Sequence, residues 1–457
     1  MEHSGSLATA GRIREVVMRG RTGTWKTLCY FALFLSVGVL MAGSRLSSQA
    51  PGQTRDEDFR FRPDHERENL NVRGERGYQS PYRRFQAQEG IPVHTGFAVN
   101  LYTVKMAPWK RQGPGVTGSY VNLDGAAGLV DIMVWEMAVG AQTRPERHLF
   151  EEQMMVLSGE GETHIWQSDP AKKVVVPWRR GTVVSPPLNT WHQHFNKGKE
   201  PARLAAATDL PTKLNAFGNP DFLFSDTYNF TDRYNGQKDY FDPENSVDYS
   251  PKTDHSLSIV NLIRDARTWR LFWAGQGYGD IDRHFILSDN TMGGHIEAWP
   301  VGAYERAHAH GPGATIVHLG GPGYSLLWPR DLLGPTPWKD GKGDKVTRVD
   351  WKDGMVVIPP MRWYHQHFST GPGNAKFIVL GGNTVQVPAG ETHLIPFKEE
   401  DPSVRQLFEK EVAKTGGKVV MPPMKELIAV EERCGDVVIS SRVGCGRIPA
   451  VAGSTVR

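Results

Sequence analysis

From Gly96 onward the chain is written in short apolar runs, GFAVNLYTV, GLVDIMVWEMAV, QMMVLSG, ETHIW, TVVSPP and ARLAAAT, each cut off by glycine, proline or polar residues. Runs of this length between turn-forming residues predict strands of a sandwich or small barrel. Residues 214–256, with many Asn, Asp, Tyr and Phe, break the pattern and read as a connection. The pattern then resumes with HFILSD, HIEAW, ATIVHLG, YSLLW, MVVIPP and AKFIVLGG.

The two halves share text as well as rhythm. WRRGTVVSPPLNTWHQHF, from Trp178 to Phe195, and WKDGMVVIPPMRWYHQHF, from Trp351 to Phe368, align without a gap and agree at ten of 18 positions. A duplicated domain follows, with an N-terminal copy at 96–213 and a C-terminal copy at 257–400. Beyond them one helix is signalled, with Asp401 as N-cap, Pro402 at the first helical position, Val404, Leu407, Phe408 and Val412 on one face, and Gly416 as the stop. It opens a C-terminal helix and tail at 401–457 and is expected to pack across the second barrel.

Composition changes this picture chiefly at the N-terminus. Lys plus Arg total 53 against 50 Asp plus Glu, and a net +3 with no basic stripe excludes a nucleic-acid surface. In residues 1–50, five basic residues between Arg12 and Lys26 precede an apolar run from Leu28 to Gly43 and then the small residues of SSQA. That order predicts an export signal, and so membrane contact during export and a secreted or periplasmic protein. A helix over 28–43 would rise about 24 Å, short of a roughly 30 Å hydrocarbon core, so a cleaved signal is preferred to a membrane anchor. Residues 51–95 are charged, have no apolar period and read as a linker or surface-wrapping arm. Of the three cysteines, Cys29 falls in the signal, leaving Cys434 and Cys445 as either a short disulfide loop or two thiols, too few for a Cys-rich zinc site.

The candidate chemistry lies around the repeat. In the first copy, Gly140, Glu146, His148, Glu152 and Gly159 precede Gly181, Pro187, Asn189, His192 and Asn196. In the second, Gly302, His308, His310 and Thr315 precede Gly354, Pro360, Arg362, His365 and Ser369. These spacings resemble the two motifs of the cupin superfamily, G-x5-H-x-H-x3,4-E-x6-G and G-x5-P-x-G-x2-H-x3-N. Glu146 stands for the first histidine, Asn189 for a glycine, and Thr315 for the glutamate. The resemblance spans roughly residues 95–400. It implies an all-β bicupin of two double-stranded β-helix, jelly-roll-like barrels with few helices.

The ligand sets that the resemblance implies are Glu146, His148, Glu152 and His192 in site one and His308, His310 and His365 in site two. Residues i and i+2 of a strand share a face, so Glu146 with His148, and His308 with His310, can look into a barrel together. Imidazole and carboxylate donors with open positions suit a divalent metal, Fe(II) first and Mn, Cu, Ni or Zn as alternatives. The plainer alternative for each is a buried, hydrogen-bonded histidine in a barrel without metal. His194 and His367, two residues past a ligand, are candidate proton-transfer or supporting residues. Arg362, and less directly Arg147 and Arg306, are candidate anchors for a substrate carboxylate, or else surface ion pairs.

The PP..WHQHF text further resembles gentisate 1,2-dioxygenase-type bicupins, which implies a three-histidine Fe(II) centre taking an aromatic acid and O2 side by side. The expected function is an extracytoplasmic non-haem Fe(II) dioxygenase acting on a small organic acid, with aromatic hydroxy acids among the candidates. The alternatives are a non-oxidative lyase, isomerase or hydrolase, like oxalate decarboxylase or ureidoglycine aminohydrolase, and a ligand-binding bicupin without turnover. A homo-oligomer is compatible with either.

Overall fold

A computed structural model describes residues 79–243, 245–249, 256–273, 281–311, 315–382 and 393–434. All fall within one compact unit, Phe61–Arg457. The export segment, the arm up to residue 78, Cys29 and Cys445 lie outside the described residues. Among the described residues no helix is long and apolar enough to cross a membrane.

The first barrel is framed by β1 (Val116–Val121), β2 (Asp131–Met137), β3 (Glu152–Ser158), β4 (Glu160–Trp166), β5 (Val174–Arg179), β6 (Trp191–Asn196) and β7 (Ala202–Thr208). Its larger sheet runs β1-β2-β7-β3 and its smaller one β6-β4-β5. The second barrel repeats the plan with β8 (Ile281–Leu287), β9 (Gly293–Trp299), β10 (His308–Ala309), β11 (Thr315–Gly320), β12 (Gly323–Pro329), β13 (Thr347–Asp350), β14 (Met355–Val357), β15 (Trp363–Ser369) and β16 (Ala375–Gly382). Its sheets run β8-β9-β16-β11-β14 and β13-β12-β15-β10. Two mostly-β barrels of one plan are thus present, as the doubled sequence predicts.

Strand alternation gives each large sheet two apolar faces. In β3, Met154 and Val156 join the interior of the first barrel, while Met155 and Leu157 turn to a layer shared with the second. That layer also takes Ile132, Val134, Ala205 and Ala207 from the first barrel and Phe285, Leu287, Ile296, Val317, Ile378 and Leu380 from the second. A fully buried side chain of this size contributes about 1.5–3 kcal/mol, so the contact between barrels is a core of its own. The barrels also exchange edge strands. Ala98–Asn100 pairs with β14, and Leu262–Ile263 pairs with Val183–Val184, so the sheets do not part at residues 214–256.

Two helices sharpen the expectations. Within the expected arm, Ser80 caps α1 (Pro81–Glu89), whose Tyr82 and Phe85 are buried against the first barrel. Two aromatics one turn apart supplied an apolar side that the surrounding charge obscured. Past the second barrel, α2 (Pro402–Lys414) starts as expected, with Asp401 accepting from the Ser403 N–H at 2.8 Å and Val404, Phe408 and Val412 buried.

Candidate functional site

Site one is built by three strand ends. Glu152 opens β3, His192 stands in β6, and His148 follows Glu146, which bridges to His192. The donor atoms of His148, Glu152 and His192 lie within 4.8 Å of one another, and all three residues are buried. The Nδ1 of His148 faces the Phe150 carbonyl at 2.8 Å, and that of His192 faces the Thr190 carbonyl at 3.1 Å. A carbonyl only accepts, so both Nδ1 atoms carry a proton, and in a neutral ring the Nε2 atom is then a bare acceptor. The Nε2 of His148 nevertheless lies 3.3 Å from Glu152 Oε2, and both Nε2 atoms and Glu152 Oε1 are buried without a hydrogen-bond partner. A shared proton or a metal cation resolves such a contact, and this donor set of two imidazoles and a carboxylate fits a divalent metal.

Site two repeats the arrangement without a carboxylate. His308 on β10 is in register with His365 on β15, and the ring atoms of His308, His310 and His365 converge within 4.8 Å. Their Nδ1 atoms face the carbonyls of Arg306, Gly311 and Trp363 at 3.0, 3.1 and 3.1 Å, leaving three Nε2 acceptors turned inward. Burial pulls all three rings below the usual histidine range, His308 to about 4, so they are neutral and ready to ligate near pH 7. His308 and His310 are only partly buried, which makes this the more open of the two sites.

Each second histidine of HQHF is held by the first tryptophan of the same repeat. The Trp178 Nε1–H donates to Thr163 Oγ1 at 3.0 Å, and that hydroxyl meets His194 Nδ1 at 2.8 Å. Trp351, Ser325 and His367 form the same chain at 2.8 and 2.7 Å. An indole only donates, so each hydroxyl accepts from its tryptophan and meets Nδ1 with its own proton or its second lone pair, which holds the ring in place. Each ring centroid is about 5.5 Å from that of the preceding histidine, 5.6 Å for His194 and 5.5 Å for His367. The tryptophan fits because a glycine lies beneath it. A Cβ on Gly161 would come 2.4 Å from Trp178, and one on Gly323 2.3 Å from Trp351.

Other sequence candidates sit elsewhere. Glu146 is outside the three-donor set, with its carboxylate taken by Arg111 and Gln112 and 3.9 Å from His192 Nε2. Burial alone would raise its pKa, but Arg111, with His192 and His148, holds it down at about 2. Arg362 does not enter site two. Its φ is +65, its N–H donates to the His310 carbonyl, and its side chain leaves the protein toward Asp331 at 3.6 Å. Arg147 and Arg306 are not surface ion pairs either. Both are buried, Arg147 against Trp191 and the Tyr228 carbonyl, and Arg306 against Glu431.

Thr315 does not stand where Glu152 does. Gly159 and Gly321, at φ +83 and +82, make the same close approach to Ala202 and Ala375. Counting back from them equates Thr315 with Gln153, and the pairs Gln153 with Ala207 and Thr315 with Leu380 agree. Thr315 therefore belongs to the face turned to the other barrel: it lies five residues after His310, as Gln153 lies five after His148, whereas Glu152 lies only four after His148.

The same count exposes residues that the motifs missed. Where the first barrel has Gly118, Tyr120, Met133, Trp135 and Val156, the second has Asp282, His284, His295, Glu297 and His318. The alternation of His295, Glu297 and Trp299 in HIEAW was the signal available. His318 stacks on Trp351 at 4.5 Å, burial pulls its pKa to about 3, and neither ring nitrogen has a partner. Each unmet buried polar group costs about 1–3 kcal/mol. His318→Val, the residue of the first barrel, is therefore expected to raise the unfolding free energy in urea by about 1–3 kcal/mol. A loss of stability instead would mean that ordered water satisfies the ring.

No family model matches this chain, and no curated protein matches it. Among solved structures it is similar to oxalate decarboxylase from Bacillus subtilis, with 11% identity, 68% of this chain and 82% of that one covered, and a TM-score of 0.40. Salicylate 1,2-dioxygenase from Pseudaminobacter salicylatoxidans gives 12%, 58%, 75% and 0.40, and vicilin from Corylus avellana gives 8%, 74%, 96% and 0.40. The fold itself rests on the sheet order and register. The chain folds into two barrels of one plan, each of which holds a three-donor set that fits a divalent metal.

Proposed function

We propose that the protein is an extracytoplasmic bicupin oxygenase, with site two as its reaction centre and a small organic acid, aromatic hydroxy acids included, as its substrate. One observation carries this reading. Site two offers three neutral imidazole donors on an accessible side of the barrel, whereas every ligand of site one is buried. Three neutral donors leave a bound dication its full charge, which favours an anionic substrate. His308, His310 and His365 would hold a redox-active divalent ion, Fe(II) first, which would supply the means to bring O2 and substrate together. His367, held through Ser325 by Trp351, stands beside this site with its Nε2 3.7 Å from Glu305 Oε1. Export rests on the charge and apolar order of residues 12–50.

A non-oxidative lyase reaction at site one would call on Glu146 as its base. A carboxylate held at about pH 2 by Arg111 is a weak base near neutrality, which favours oxygen chemistry at site two. The test is oxygen uptake by iron-loaded protein with hydroxybenzoates and aliphatic hydroxy acids. Uptake in the wild type that is lost in His310→Ala and kept in His192→Ala supports the reading. Substrate loss without oxygen uptake would replace it with the lyase alternative.

A further inference from the structure

We propose that Glu431, on the C-terminal helix α3 (Met424–Cys434), acts through Arg306 as a positioning residue for site two. The inference rests on the reading of site two as a metal centre. The carbonyl of Arg306 takes the His308 Nδ1 proton at 3.0 Å, so the placement of Arg306 sets the tilt of that ring. Its guanidinium reaches Glu431 Oε1 at 2.6 Å, with both side chains about nine-tenths buried or more, at 7% and 6% exposed. The other oxygen of Glu431 accepts the Phe397 N–H at 2.8 Å, and the Arg306 guanidinium lies 5.9 Å from the Phe397 ring. The same stretch closes on the ligand strand. Ile395 N–H donates to the Ala307 carbonyl at 2.8 Å, and Leu394 is in register with His308. Residues 394–431 thus clasp β10 from the side opposite His365.

Among the described residues, site one has no such pair at the matching position. Gln193 and Gln366 of the two HQHF stretches donate to the carbonyls of Thr143 and Glu305, which equates Arg306 with Arg144, and Arg144 is exposed. The difference matches the donor sets. Site one has a carboxylate among its ligands, whereas a dication in site two would meet three neutral rings and, beside them, the buried Arg306 and the Glu305 carboxylate, whose Oε1 lies 3.8 Å from His308 Nδ1. In a medium of low dielectric, Glu431 balances that arginine and lowers the repulsion that a metal would feel.

Mn(II) titrated by calorimetry into metal-free, full-length protein tests this, with site two identified as the isotherm that His310→Ala abolishes. Glu431→Gln keeps the size of the side chain and removes its charge. It is expected to weaken site two about 10–100-fold, as loss of an outer partner of a ligating histidine does, and to leave site one unchanged. Glu431→Asp, which restores the charge, is expected to recover most of the affinity. Unchanged site-two affinity in Glu431→Gln overturns the proposal. So does an equal weakening of both sites in step with a lower melting temperature of the metal-free protein, which would make Glu431 merely structural. A wild type that takes no second Mn(II) overturns the metal reading of site two itself.

Discussion

His365→Ala is expected to release one of two bound divalent ions and to lower the affinity of site two by more than about 100-fold, since removing a ligand exceeds the 10–100-fold cost of losing an outer partner. That factor corresponds to at least about 2.7 kcal/mol. His365 is the ligand to remove because it meets both others, with ring centroids 4.2 Å from His308 and 4.8 Å from His310. Its loss leaves two acceptors and no face for an ion to complete. The Nε2 atoms of His308 and His310 are then free to take water, so the metal-free variant is expected to fold. Elemental analysis after dialysis, with His192→Ala as the mirror experiment, gives one ion per chain from each variant and none from the double variant. Two ions retained in His365→Ala would exclude site two as a metal centre.

The donor sets show what could be read from the sequence. His308 and His310 were legible because alternation in a strand puts i and i+2 on one face, and the repeated HQHF marked His192 and His365. The doubled barrel was legible for the same reason, since a domain written twice must fold twice. Register was not. Thr315 matches Gln153 and not Glu152, and a motif spacing that allows three or four residues before the carboxylate cannot show which face it takes. Nor were partnerships across the chain legible. Arg111 reaches Glu146 over 35 residues, and Arg306 reaches Glu431 over 125. Only the packed barrel decides whether an acidic residue beside a histidine faces a metal or an arginine.

The repeated tryptophan and second histidine carry a different lesson. Trp178 and Trp351 were the first letters of the repeat, yet the sequence assigned them no role. In the fold each covers a glycine, Gly161 or Gly323, and donates to the hydroxyl that orients the second histidine. The repeat is thus more than half of a ligand set. It encodes one ligand together with the support of its neighbour, and the two barrels differ mainly in what the first motif and the interior add to that shared part.

Glu151→Ala is expected to destabilise the protein by about 3–5 kcal/mol, the cost of removing one partner of a buried ion pair. Glu151 adjoins the site-one ligand Glu152 but turns away from it and is 3% exposed. Its Oε1 accepts from Arg233 and from the Thr291 N–H, each at 2.9 Å, and its Oε2 accepts from the Met292 N–H at 2.8 Å and the Thr291 hydroxyl at 3.0 Å. Thr291 and Met292 lead into β9, so one carboxylate of the first barrel fixes the turn that starts a strand of the second. Gln153, on the other side of Glu152, donates to the Met292 carbonyl at 2.8 Å and ties the same turn again. Alanine would leave a guanidinium and two backbone N–H groups without this acceptor, whereas Glu162→Ala, at a surface pair with Lys197, is expected to cost no more than about 1 kcal/mol. Urea unfolding of metal-free protein separates this from any effect on binding. A loss for Glu151→Ala no larger than that for Glu162→Ala would show that the shared apolar layer, the exchanged strands and Gln153 join the barrels without it. A loss of the expected size makes Glu151 the polar lock of that interface, one residue from the carboxylate that completes site one.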